Sequence, residues 1–320
     1  MLMTLGVAAG ALLLWVALRG VDSRQFMGRL KSADIWYCIP LGTCYVLFIL
    51  LRAVRWHLLL APMGRLSWRP VLSATIVGYA GNMLLPASLG EIVRMFVLQR
   101  HASLNPGALV SSVAVERLLD IGILLAMFLV FVSSLPGFAE AELRSAVAVA
   151  AVIGALVLAG AVALASSGPR ESSGECRPGV HRSLRHRLRN YLHGAAAQLR
   201  GAADPWLLAK SIAVTAVMWA GMTLSVFAAL KAVGPGGSLV AAGLTVVCIA
   251  LVMILPSAPG YVGATQLAFV VALKPFDLDA STAVAASVIF QGVVYAVVAL
   301  LTVWAFGDLR LALRWVKTVR

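Results

Sequence analysis

Three ionisable residues, Glu116, Arg117 and Asp120, stand in the middle of an apolar stretch over 106–134. On insertion scales each such side chain costs about 2.5 to 3.5 kcal/mol at the centre of a bilayer, so all three must face protein, water or one another. Arg117 and Asp120 are spaced to pair along a helix, and Glu116 and Asp120 share one helix face. This grouping suits a proton or cationic-headgroup site, or else an ion-pair cluster that fixes helix packing.

A second group of charges follows a helix-breaking segment over 86–90. Ser88 and Glu91 have the S-x-x-E spacing of a capping box, which predicts a helix over 89–101. The first amides of such a helix carry a partial positive charge, and Arg94 one turn later adds a full one. Glu91 is therefore either a structural cap or a functional carboxylate, and the helix start suits an anionic group.

Arg52 and Arg55 lie at the inner end of the apolar stretch 35–54, where they could clamp a phosphate or snorkel toward the interface. Enzyme motifs such as H-E-x-x-H, the P-loop and G-x-S-x-G are missing. None of the five histidines pairs at ligand spacing, and the four cysteines form no C-x-x-C pair. We therefore expect no catalytic residue, no metal site and no cofactor.

The elements that position these residues must lie in a membrane. Hydrophobic residues make up 61% of the 320 and charged residues 12%, whereas a soluble domain is normally about one quarter charged. The mean hydropathy of +0.93 agrees. The net charge of +13 reflects arginine-rich cytoplasmic loops, so we expect membrane lipids as partners and no nucleic acid.

Orientation follows from the arginines. The polar stretch 167–204 is strongly basic and is predicted to be cytoplasmic, either as a helix lying on the membrane surface or as a solvated loop. Counting outward from it, the stretch 70–105 begins and ends inside, and 237–273 begins and ends outside. Each contains a Pro-Gly break, at 86–90 and 256–263, which predicts two oppositely oriented re-entrant hairpins.

The two halves also align with each other, at an offset of 170 for the breaks and 175 for the following helices, although apolar sequences can align by chance. We therefore predict an all-α polytopic membrane protein with about six full spans, two re-entrant hairpins and an inverted repeat. The first repeat covers 1–134 and the second 135–320. A multi-pass protein of the cell (inner) membrane with both termini cytoplasmic is expected.

Four motifs occur in order along the chain: Arg52-x-x-Arg55-Trp56, then Gly78 and Asn82 with Leu85-Pro86-x-x-x-Gly90-Glu91-x-x-Arg94, then Glu116-Arg117-x-x-Asp120, and Pro256-x-x-Pro259-Gly260-x-x-Gly263. Together they resemble the flippase-like transmembrane region of lysylphosphatidylglycerol synthases and similar stand-alone membrane proteins. One departure is Gln266, where a glutamate often follows the second Gly-x-x-Gly. Lysyl transfer is not expected, because only a short tail follows the last span.

The resemblance implies translocation of an anionic or glycosylated lipid: a phospholipid, a polyprenol-linked lipid or a hopanoid-type lipid. A non-transporting subunit that scaffolds a lipid-modifying enzyme or glycosyltransferase is the alternative, with that enzyme as partner; the oligomeric state is left open. The positions implied for lipid binding or translocation are Arg52, Arg55, Asn82, Pro86, Gly90, Glu91, Arg94, Glu116, Arg117, Asp120, Pro256, Gly260 and Gly263.

Overall fold

A computed structural model describes residues 2–85, 89–102, 104–135, 145, 194–195, 197–198, 200–201, 204–253 and 258–318. The regular structure of these residues is helical, with no strand among them. Ten α-helices are delimited: α1 Leu2–Leu18, α2 Ser23–Lys31, α3 Cys38–Leu60, α4 Trp68–Leu84, α5 Gly90–His101, α6 Pro106–Val132, α7 Pro205–Val233, α8 Leu239–Val252, α9 Ala264–Leu273 and α10 Ala280–Thr318.

Short polar side chains begin several of these helices. Asn105 caps α6 by accepting from the Gly107 amide at 2.8 Å, and Asp204 caps α7 by accepting from the Leu207 amide at 2.8 Å. Proline follows each cap at the first helical position, where its missing N–H is not needed. The sequence thus fixes where both long helices start.

Three helical segments are long and apolar enough to cross a membrane: Ile35–Met63, Pro205–Val233 and Ala280–Gly307. A fourth is possible if the pair Gly6–Leu18 and Ser23–Lys31, bent by 92°, counts as one span. The structure therefore supports a membrane protein with three or four candidate spans. Six spans are therefore not found among the described residues. Helix α6 is long enough to span a membrane but carries three charged residues. Apart from residue 145, the apolar stretch 143–166 lies outside the described residues.

The segment 19–34 contains the short amphipathic helix α2. Asp22 caps it, and Phe26 and Leu30, four residues apart, pack against the core while Arg24 and Arg29 stay exposed. The four-residue spacing of Phe26 and Leu30, which places both on one helix face, is the sequence pattern that indicates this helix.

Helices α4 and α5 form an antiparallel hairpin around the first break. Glycines bring their backbones together: a Cβ on Gly78 would lie 2.9 Å from the Arg94 Cβ, and one on Gly81 would lie 3.0 Å from the Gly90 Cα. Helix α5 begins at Gly90, one residue after the predicted start at position 89. Helices α8 and α9 pack against each other around the second break in the same way.

Helices of the first half pack against helices of the second half. Helix α3 packs along α7, α4 packs on α10, and α8 packs on α6. Each hairpin therefore lies on the last long helix of the other half. The main hydrophobic core draws on both halves, including Phe48 and Ile76 from the first and Met222 and Phe290 from the second.

Candidate functional site

A cavity of about 730 Å³ lies between the two halves. Apolar side chains of α3, α6, α7, α8 and α10 form most of its wall. Met83 and Glu91, on either side of the first break, and Gly260 of the second break also line it. Its polar lining residues include Arg52, Tyr79, Asn82, Glu91, Arg117, Asp120, Gln291 and Tyr295. This volume, apolar with a few polar groups, is in the range of small-molecule and lipid-headgroup sites.

The second break lies against the end of α4 at this cavity. A Cβ on Gly260 would lie 3.6 Å from the Met83 carbonyl oxygen, which joins the second break to the end of α4. The φ angles of Gly260 and Gly263 are 70° and 85°, a region that L side chains rarely adopt. Pro86 and Pro256, the prolines of the two predicted breaks, lie outside the described residues.

Gly90 begins α5 in tight contact with α4. Its amide donates to the Asn82 Oδ1 at 2.8 Å, and a Cβ at this position would overlap the Gly78 carbonyl oxygen and the Asn82 amide. Asn82 thus satisfies one of the free amides of the helix start. The capping box expected from Ser88 lies outside the described residues, and the Glu91 carboxylate is held by arginines instead.

Arg55 on α3 binds both carboxylates of α6. Its Nη1 and Nη2 donate to Asp120 at 2.6 and 3.2 Å, and its Nη2 contacts Glu116 at 3.3 Å. Both Arg55 and Glu116 are 0% exposed. Glu116 and Asp120 therefore share one face of α6, as the four-residue spacing predicted.

Helix α7, from the second half, completes this arrangement. Trp219 Nε1 on α7 donates to Asp120 Oδ1 at 3.0 Å, and Thr215 Oγ1 accepts from Arg55 Nη1 at 3.1 Å. The sequence reasoning missed both residues. Thr215 and Trp219 lie four apart on one face of an apolar helix, and that spacing gives no indication of a charged partner.

Arg94 on α5 lies between Glu91 and Glu116. Its Nε is 2.6 Å from Glu91 Oε2, its Nη2 donates to Glu116, and its guanidinium lies over the Trp56 ring at 4.5 Å. Since Arg94 is buried, this cation is neutralised by protein rather than by water.

Arg52 and Arg117 converge on the remaining oxygen of Glu91. Arg52 Nη2 donates to Glu91 Oε1 at 2.8 Å, and Arg117 Nη2 donates to the same oxygen. All three side chains line the cavity, and Arg117 is 48% exposed there. Neither Arg52 nor Arg55 snorkels to the interface, because both are buried and ion-paired.

The expected pairing of Arg117 with Asp120 was therefore wrong. Arg117 binds Glu91 on α5, and Asp120 binds Arg55 on α3. Sequence spacing permitted the pair, but the neighbouring helices supplied closer partners.

The second half has an uncharged counterpart of this network. Gln291 Nε2 and the Tyr295 hydroxyl donate to the Gly260 carbonyl oxygen at 2.7 and 2.6 Å. Gln266 Nε2 donates to Gln291 Oε1 at 2.7 Å, and Gln266 Oε1 accepts from the Gly263 amide at 2.7 Å. Neutral hydrogen bonds thus hold the second break in place, whereas ion pairs hold the start of α5 after the first break.

The described residues contain no cluster of histidine, cysteine and carboxylate side chains that could hold a metal ion. The chain is a helical membrane protein with three or four candidate spans and a mostly apolar cavity that several charged side chains line. The family model of the lysylphosphatidylglycerol synthase TM region matches residues 3–302, so the chain belongs to that family, as its motifs predicted. No curated protein matches the chain. The family fits a lipid-related role in the membrane.

Proposed function

We propose that this protein translocates a lipid across the cell membrane by passing the polar headgroup through the cavity while the acyl chains stay in the bilayer. The observation that carries this proposal is the cavity of about 730 Å³, which residues flanking the first break and residues of the second break both line. Irregular backbone at membrane depth is tolerated only where it lies in protein or lines a watery space.

The order and packing of the helices support the same function. Each half has a long helix, a hairpin with a break and a second long helix, and each hairpin lies on the other half. We propose that the two halves form an inverted repeat, an arrangement that is typical of secondary transporters with the substrate site between broken helices. We propose that α4–α5 enters from the cytoplasm and α8–α9 from outside, with both termini cytoplasmic.

The proposal is tested with glycine-to-alanine variants at the breaks and at open positions of other helices. We expect Gly90→Ala and Gly260→Ala to slow translocation at least about tenfold, because each new Cβ overlaps atoms at a break. Gly122→Ala and Gly292→Ala are matched controls, since a Cβ at either position meets no atom within 4 Å. The measurement is the rate at which fluorescent lipid leaves the outer leaflet of liposomes that contain the full chain.

Equal rates of lipid translocation for all four variants would show that the cavity does not lie on the translocation path. A wild-type protein that moves no lipid, but is purified at a fixed ratio with a lipid-modifying enzyme, would contradict translocation and favour the scaffold role.

A further inference from the structure

Helix α2 connects two apolar helices at one end of the bundle. The preceding helix, α1, has no charged residue among its 17 positions, which is long enough to cross the hydrocarbon core. The candidate span Ile35–Met63 follows shortly after α2 ends. Helices α1 and α2 are bent by 92° relative to each other. Since a helix perpendicular to a spanning helix runs parallel to the bilayer, α2 lies along the membrane surface.

The outward face of α2 is basic with one apolar residue. Phe26 and Leu30 pack against the main core, whereas Arg24, Met27 and Lys31 are exposed. These three exposed residues are spaced by three and four positions, so they lie side by side on one face of the helix. One face of α2 therefore rests on the protein, and the other is free to contact the membrane.

The basic side chains of this face have no ion-pair partner among the described residues, since Arg24 and Lys31 take part in none of the ion pairs found there. The carboxylates of Asp22 and Asp34 accept from backbone amides at 2.7 and 3.0 Å, which caps the helical turns that follow them. The whole segment 19–34 contains four basic and two acidic residues. An excess of positive charge therefore faces outward.

Exposed tryptophans place both ends of α2 at the depth of the lipid headgroups. Trp15 is 54% exposed near the end of α1, and Trp36 is 73% exposed at the start of the next span. The Arg19 guanidinium lies 3.5 Å from the centre of the Trp15 ring. Tryptophan is enriched where a bilayer meets water. Because α2 runs between the two tryptophans, Arg24 and Lys31 lie at the level of the lipid phosphates.

We infer that α2 is a membrane-surface helix that binds anionic phospholipids of its own leaflet, with Arg24 and Lys31 on the phosphates and Met27 among the upper parts of the acyl chains. Basic residues beside an anionic surface attract its lipids, and a guanidinium group forms paired hydrogen bonds with phosphate oxygens. On the orientation proposed above, this is the outer leaflet, where the positive-inside rule does not account for basic residues. Lipid binding accounts for them, and it is independent of transport through the cavity.

The test measures which lipid lies next to α2 in liposomes that contain the full chain. In a cysteine-free background, Met27→Cys carries an environment-sensitive fluorophore, and spin-labelled phosphatidylglycerol or phosphatidylcholine is added at the same mole fraction. We expect phosphatidylglycerol to quench the fluorophore at least about threefold more strongly, because two basic residues flank it. The same fluorophore on Leu300→Cys, at a position of α10 that is 73% exposed, should be quenched equally by both lipids.

The double variant Arg24→Gln with Lys31→Gln should lose the preference for phosphatidylglycerol and keep its quenching by phosphatidylcholine. Arg65→Gln with Arg69→Gln is the matched control, since both arginines are exposed and follow α3 at the opposite end of the bundle.

Salt should also reduce the preference, because the Debye length falls from about 10 Å at 0.1 M to about 3 Å at 1 M. The salt comparison needs no charge substitution, so it decides the question even where the double variant unfolds.

Three results would overturn the inference. Equal quenching by the two lipids would show that α2 does not select anionic lipid. A preference that persists in the double variant or in 1 M salt would show that Arg24 and Lys31 do not cause it. Quenching by aqueous iodide but by neither lipid would place α2 in water and leave its basic face to a soluble acidic partner. A protein that passes the quenching test but moves no lipid keeps lipid binding at α2 and loses the proposed function.

Discussion

At the scale of single residues, the site depends on which buried charges face one another. Asp120 joins two other helices, since it accepts from Arg55 on α3 and from Trp219 on α7. Its loss would leave Arg55 buried with Glu116 at 3.3 Å as its remaining carboxylate. The residue types and their burial could be predicted from the cost of charge in lipid, but their partners depend on how three helices pack.

We predict that Asp120→Ala lowers the free energy of unfolding by about 3 to 5 kcal/mol, because it leaves a buried guanidinium underpaired. The double variant Arg55→Met with Asp120→Leu should unfold closer to wild type, since Glu116 keeps Arg94 as its partner. Thermal unfolding in detergent, followed by tryptophan fluorescence, measures both. An Asp120→Ala protein as stable as wild type would show that this carboxylate has no structural role.

At the scale of helices, α1 supports the second break. A Cβ on Gly10 would overlap the Ala258 Cβ, and one on Gly263 would overlap the Gly10 carbonyl oxygen. We therefore expect Gly10→Ala to lower the unfolding temperature. Gly28→Ala in α2 meets no atom within 4 Å and should be neutral or raise it, because alanine favours helices by up to about 1 kcal/mol. Equal effects of the two substitutions would mean that α1 does not pack on the break.

The sequence predicted the helical class, the two breaks and the start of α5 because apolar runs and Pro-Gly segments report local backbone preferences. It did not predict α2, whose nine residues are mostly polar. Nor did it predict that Gln291 and Tyr295 bind the Gly260 carbonyl, since such contacts join residues more than thirty positions apart. Packing between distant parts of the chain determines these contacts, and residue spacing along one helix does not predict them.

At the scale of the whole molecule, the helix ends separate into two groups. At one end, Gln198 donates to the Leu59 carbonyl and Gly201 lies against Pro62, close to the start of α7. At the other end, the Asp34 amide donates to the Ala232 carbonyl at 2.9 Å, and the Asp22 amide donates to Ser281 at 2.9 Å. Chain segments of both halves therefore lie together at each end of the helix bundle.

This grouping predicts sidedness. In a cysteine-free background, Arg65→Cys and Asn105→Cys should be labelled from the cytoplasm, and Arg24→Cys and Asp277→Cys from outside. The reason is that Gln198 and Gly201, at the end of the arginine-rich stretch 167–204, lie with the first group. Impermeant maleimide on right-side-out and inverted vesicles makes the comparison. Labelling of positions 65 and 105 from opposite sides would exclude a hairpin that enters and leaves on one side.

The central claim is that a lipid headgroup passes through the cavity between the two breaks, and reversible blocking of that cavity tests it most directly. In the cysteine-free protein, Val113→Cys places a thiol in the cavity wall, and Val130→Cys places one on the exposed face of the same helix, away from the cavity. Each is modified with a bulky methanethiosulfonate reagent, and lipid translocation in liposomes is measured before modification, after it and after reduction. The account predicts that modification at position 113 stops translocation, that reduction restores it, and that modification at position 130 has no effect. Translocation at the full rate with position 113 modified would contradict it.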